Sequence, residues 1–167
     1  GLGRCGYLFA SDSVGLKPAI ITLAKPLAGG LPLSAVLLPT EVNNRLHFGE
    51  HGTTFGGGPV TCALASHVFD LLADADFLST VRERGQQLRK GLDSLREIYS
   101  LGPVVGTGLL SGVHVPGNAG DQPKIQALSA ELRAAGVLVL RSGEDVLRIA
   151  PPLVISAEEI DEGIRSI

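Results

Sequence analysis

The chain has 167 residues, 44% of them hydrophobic, with 14 basic against 17 acidic side chains and a net charge of −3. That is apolar material enough for a domain core, while the acidic balance and an aromatic content of 4% speak against a nucleic-acid binder. Apolar runs are broken by Pro, Gly or charge well before the ~18 residues that a membrane span needs, so no membrane partner is expected.

In chain order, the first element is a short buried strand at Ile20–Leu23, apolar and β-branched, which delivers Lys25 into a turn made by Pro26, Gly29 and Gly30. A lysine poorly hydrated at the end of a buried strand is pushed toward the neutral amine, the form that attacks a carbonyl. The competing reading is a lysine whose stem packs on apolar surface while its ammonium stays in water. A second strand is expected at 34–38. The loop from Glu50 to Gly58 then sets Thr53 and Thr54 beside Gly56, Gly57 and Gly58, ahead of a helix opened by Pro59. Backbone N–H groups and hydroxyls at a helix start suit a phosphate, though the loop matches neither a Walker sequence nor a GxGxxG fingerprint. His47 and His51 are spaced for one helical face, but the loop is not helical and no cysteine joins them, so no metal site is expected.

The helix from Pro59 to Leu72 is expected to bury Val60, Leu64, Val68 and Leu71. Asp74 caps a longer helix through about Tyr99, with Phe77, Val81, Leu88, Leu92, Leu95 and Ile98 at helical spacing. Arg82, Glu83, Arg84, Arg89, Lys90 and Arg96 read as its solvated face. Beyond Gly102 the pattern becomes a small α/β unit: strands at 108–115, 137–141 and 146–150, with helices at 125–135 and 157–167. Gly136 suits a helix C-terminus, and Ser156 with Glu159 forms a capping box. Cys5 and Cys62 have no CxxC spacing, which fits a reduced intracellular setting, cytoplasmic or organellar.

Thr22-Leu23-Ala24-Lys25, then Gly29-Gly30-Leu31-Pro32, then His51-Gly52-Thr53-Thr54-Phe55-Gly56-Gly57 resemble the class III pyridoxal-phosphate aminotransferases, most closely the acetylornithine/ornithine group. Gly1-Leu2-Gly3-Arg4-Cys5-Gly6 and Val146-Leu147-Arg148-Ile149-Ala150-Pro151-Pro152-Leu153 resemble further segments of that family, in the same order. The resemblance implies that Lys25 is the catalytic lysine, holding the cofactor covalently and later carrying a proton. It implies that Thr54 binds the cofactor phosphate across a dimer interface, that Thr53 contacts the amino substrate, and that Arg148 lies near the substrate carboxylate or pairs with an acid. Gly58 stands where Asn is common and Ala19 where Asp is common; Pro26 and Ala28 also depart from the usual segment, and none removes a reacting group.

The fold implied is α/β, a fold type I pyridoxal-phosphate transferase. Residues 1–73 would end a large, mostly parallel-sheet domain, 74–99 would form a connecting helix, and 100–167 a small C-terminal domain. The family's pyridinium-pairing aspartate precedes the Gly-x-Gly-Arg segment, and its phosphate loop and stacking aromatic also lie upstream, so the chain is expected to be the C-terminal portion of a longer enzyme. The activity implied is transamination of N-acetylornithine with 2-oxoglutarate in arginine biosynthesis, by a homodimer with shared sites. Ornithine or 4-aminobutyrate aminotransferase shares these motifs, and a non-catalytic fragment that only packs or dimerises is the alternative of another class.

Overall fold

The computed structural model describes residues 1–117 and 122–167. An N-terminal coil with Leu2 in the core leads to β1 (Ile21–Leu23), which pairs antiparallel with β2 (Ala35–Leu37). A short helix α1 (Thr40–Asn43) and an exposed loop follow, then α2 (Pro59–Ala73) and α3 (Ala75–Tyr99). The remaining chain forms a four-stranded sheet in the order β3 (Val104–Thr107), β4 (Leu110–His114), β6 (Val146–Ile149), β5 (Leu140–Ser142), with α4 (Gln122–Ala134) and α5 (Ala157–Arg165). Every strand pair among the described residues is antiparallel.

Local chemistry accounts for the helix ends. Pro59 stands in the first turn of α2, where its missing N–H costs nothing. The Asp74 carboxylate accepts the Phe77 N–H at 2.7 Å, so α3 starts at the expected cap. Asp74→Ala is expected to lower unfolding free energy by about 1 kcal/mol, read from the denaturant midpoint, with little change in slope. At α5 the capping box is complete: the Glu159 N–H donates to Ser156 Oγ at 3.1 Å, and the Ser156 N–H donates to Glu159 Oε2 at 2.8 Å.

Among the described residues, three apolar clusters hold the fold together. Leu2, Leu23, Leu27, Ala28, Ala65 and Leu72 join the coil, β1 and α2. Val81, Leu88, Leu92, Leu95, Val104, Leu109, Val113 and Ile160 join α3, the sheet and α5. Ile125, Leu132, Val139 and Leu147 seat α4 on the sheet. Phe77 and Leu153 pack against both of the first two clusters and link the two halves of the chain. The row Val104–Val113–Leu147 is buried under the helices, so the alternate row Val105–Gly112–Arg148 lies on the opposite face.

One junction depends on bare backbone. A Cβ on Gly85 of α3 would lie 2.7 Å from the Gly108 backbone, and one on Gly108 would lie 2.6 Å from the Arg4 carbonyl. The β3–β4 turn is therefore clamped between α3 and the N-terminal coil, with Gly108 at φ 56°.

Several expectations are corrected. On α2 the buried residues are Ala65 and Leu72, whereas Val60 and Leu71 face outward, because the helix packs on the coil and the Lys25 turn along another face. Ile98 is also exposed. Arg82 leaves its solvated face: its guanidinium donates to the Gly6 carbonyl at 2.6 Å and lies over the Tyr7 ring. Strand β3 was not expected, since Gly106 interrupts a four-residue run. The expected strand at 137–141 starts only at Leu140, because the Val137 N–H donates to Leu132 at 2.8 Å and closes α4 instead. Gly136 takes φ 87° at that closure, as its position implied.

Candidate active site

Lys25 follows β1 directly. Ala24 is extended at φ −159°, and Lys25 then takes φ 53°, a left-handed conformation, at the head of a 3-10 turn over Lys25–Ala28. A side-chain-bearing residue there costs about 1–2 kcal/mol, and Pro26 narrows the alternatives by disfavouring the right-handed helical region for the residue before it. The turn is held from beneath: Leu27 and Ala28 are buried against α2, and the Gly29 N–H closes the turn on the Pro26 carbonyl at 3.0 Å. Lys25 and Pro26 face outward.

The expected burial of Lys25 is therefore corrected. β1 belongs to a two-stranded ribbon with only Leu23 in the core, and Ile20 beside it is half exposed. The described residues supply the amine with a constrained backbone rather than a dry pocket.

Thr53 and Thr54 lie on the loop that enters α2. The His47 N–H donates to Glu50 Oε2 at 2.8 Å at the start of this loop. Further on, Gly56 leaves room for Thr53, whose methyl would lie 2.0 Å from a Cβ at that position. The loop is exposed throughout, with Phe48 and Phe55 at 109% and 88% accessibility. Gly58 provides no side-chain cap for α2. Among the described residues, neither the Thr53 and Thr54 hydroxyls nor the Lys25 amine takes part in a side-chain hydrogen bond or ion pair. Helix α2 ties the two segments together: the Lys25 turn packs on its body, with Gly29 beside Leu64 and Val68, while the threonine loop runs into its first turn.

Arg148 is exposed on β6, opposite Gly112 and Leu140. Arg4, to which the sequence reading assigned no role, stands near it. Its Nη1 donates to the Leu109 carbonyl at 3.2 Å and to the Pro151 carbonyl. Burial, and then the positive charge of Arg148, lower its pKa. The only sequence signal was its place in the Gly-x-Gly-Arg segment.

The family profile described as "Aminotransferase class-III" matches residues 1–167, the whole chain. The chain belongs to the class III aminotransferase family. Among its class III relatives, the probable mitochondrial acetylornithine aminotransferase of Dictyostelium discoideum is 39% identical, covering 97% of this chain and 36% of that protein. The acetylornithine aminotransferase of Haemophilus ducreyi is 41% identical over 98% of this chain and 39% of that protein. In structure, the acetylornithine aminotransferase from Elizabethkingia anophelis superposes with a TM-score of 0.91 at 30% identity, over 99% of this chain and 42% of that one. An ornithine aminotransferase from Toxoplasma gondii gives 0.88 at 33% identity, over 99% and 39%. The chain thus has the α/β architecture of fold type I and spans about two fifths of these relatives.

Class III aminotransferases use pyridoxal phosphate, and the donor set here suits it. An aldehyde needs a primary amine and a phosphate needs hydroxyls or N–H donors; Lys25, Thr53 and Thr54 present these without a competing side-chain partner among the described residues. No cluster of three or more His, Cys, Asp or Glu gathers for a metal among those residues, and no helix described is long and apolar enough to cross a membrane.

Proposed function

We propose that the protein containing this chain transaminates N-acetylornithine with 2-oxoglutarate, giving N-acetylglutamate 5-semialdehyde and glutamate, a step of arginine biosynthesis in the cytoplasm or an organelle. The observation that carries this reading is the joint placement of Lys25 and the Thr53–Thr54 loop about α2, in a chain 39% and 41% identical to acetylornithine aminotransferases. In this reading residues 1–73 complete the large domain, 74–99 connect, and 100–167 form the small domain.

When bound, pyridoxal phosphate supplies an aldehyde that accepts amino groups and a ring that withdraws electrons. Lys25 Nζ would hold it covalently and, when free, would carry the proton of the substrate carbon that bears the reacting amine, Cδ of N-acetylornithine and Cα of glutamate. Thr54 Oγ1 would donate to the cofactor phosphate held in the opposite subunit, Thr53 would contact the amino substrate, and the planar Arg148 fork would take its carboxylate. A homodimer is favoured by the exposed Phe48 and Phe55 flanking the threonines, since two bare aromatics around one polar pair mark a surface to be covered.

Ornithine is the second donor to weigh, because ornithine aminotransferase structures match the fold nearly as well. A steady-state comparison of N-acetylornithine, ornithine and 4-aminobutyrate, each with 2-oxoglutarate, decides between them. N-acetylornithine is expected to give a kcat/KM at least about tenfold above either competitor, a difference of about 1.4 kcal/mol in transition-state binding. A preference for ornithine moves the protein to the second reading.

A further inference from the structure

Arg4 makes more connections than a residue of a terminal coil needs. Its carbonyl accepts the Leu109 N–H at 3.0 Å, while its Nη1 donates back to the Leu109 carbonyl at 3.2 Å. The same guanidinium donates to the carbonyl of Pro151, three residues beyond Arg148. One side chain therefore grips the β3–β4 turn and the exit of β6 together. The turn itself cannot retreat, because Gly108 is pressed between α3 and the Arg4–Cys5 backbone.

Among the described residues, the charge of Arg4 is not matched by an acid. Among the described residues no carboxylate forms an ion pair with Arg4 or with Arg148. Two nearby cations, one half-buried and held by carbonyl oxygens and one exposed on the open sheet face, repel each other. An anion bound beside Arg148 would ease that repulsion. A guanidinium fork, unlike an ammonium, also fixes direction as well as charge.

We propose that Arg4 is a positioning residue for Arg148: by tying Pro151 to the β3–β4 turn it holds the end of β6 so that the Arg148 fork meets the substrate carboxylate. This rests on the reading above that Arg148 takes that carboxylate.

The test uses the full-length holoenzyme with Arg148→Ala, Arg4→Lys, Arg4→Gln and the Arg4→Lys/Arg148→Ala double variant. Steady-state kinetics give the KM for 2-oxoglutarate, and calorimetry gives the Kd of glutarate, an unreactive dicarboxylate. Arg4→Lys keeps the charge and loses the fork; it is expected to raise both constants about ten- to a hundredfold, the cost of misplacing a binding group by about 1 Å, with a smaller change in kcat. Combined with Arg148→Ala, it should add less than about twofold, because there is no longer a fork to position. A fall in melting temperature with both constants unchanged assigns Arg4 a purely structural role and overturns the proposal, as does full additivity in the double variant. Arg148→Ala that leaves both constants unchanged refutes instead the carboxylate role of Arg148, and the positioning role falls with it. If Arg4→Gln does not fold, Arg4→Lys alone decides.

Discussion

Lys25→Ala in the full-length enzyme is expected to reduce transamination to background. Loss of a positioned proton carrier alone removes about 10²–10⁴-fold, and loss of the covalent anchor removes more. Lys17, Lys90 and Lys124 are exposed and have no part in the proposed chemistry, so their Ala variants should turn over normally. Near wild-type turnover by Lys25→Ala refutes the assignment. The backbone adds a control that does not depend on activity. Lys25 sits at φ 53°, where glycine is at ease and alanine is not. Lys25→Gly should therefore be about 1 kcal/mol more stable than Lys25→Ala, the reverse of the usual order within a regular element. Both variants lack the amine and both should be inactive, which separates the strain of the turn from the chemistry of the side chain. If alanine proves the more stable, the left-handed conformation at Lys25 is refuted.

Subunits carrying Lys25→Ala and Thr54→Val are expected to complement each other. The Thr54 hydroxyl has no side-chain hydrogen-bond partner among the described residues and stands beside the bare Phe55 ring. If it reaches the phosphate in the opposite subunit, Thr54→Val alone should weaken pyridoxal-phosphate binding by about 1.5–3 kcal/mol, the worth of a hydrogen bond to a charged partner. At cofactor concentrations below the dissociation constant of that variant, each homodimer is nearly inactive. After subunit exchange, half of the dimers are mixed, and each has one site with both defects and one with neither. About a quarter of wild-type activity should return. No recovery, with mixed dimers verified by mass spectrometry, means that each site is built within one subunit. The same loop then has to find Thr54 an intrachain role.

The elements legible in the sequence are those whose causes are local. Asp74 and Ser156 announce α3 and α5 because a cap binds an N–H only three residues away. Gly136 ends α4 because the αL closure asks for a residue without Cβ strain. The order of the lysine turn, threonine loop and Arg148 segment points to class III aminotransferases without any packing, since short motifs carry backbone demands and reactive groups in one stretch. Burial was not legible in the same way. Periodicity says that α2 has an apolar side, but Ala65 and Leu72 rather than Val60 and Leu71 are covered, because the coil and the Lys25 turn arrive from a direction that α2 does not encode. Lys25 is exposed for the same reason: a strand's apolar run cannot specify which neighbours lie beside its last residue. Arg4 is the plainest case. Its carbonyl partners, Leu109 and Pro151, are 105 and 147 positions away, and a backbone oxygen leaves no mark in sequence. Only the packed tertiary structure, in which Gly85 and Gly108 let a helix, a hairpin turn and a coil meet backbone to backbone, brings those oxygens to one guanidinium.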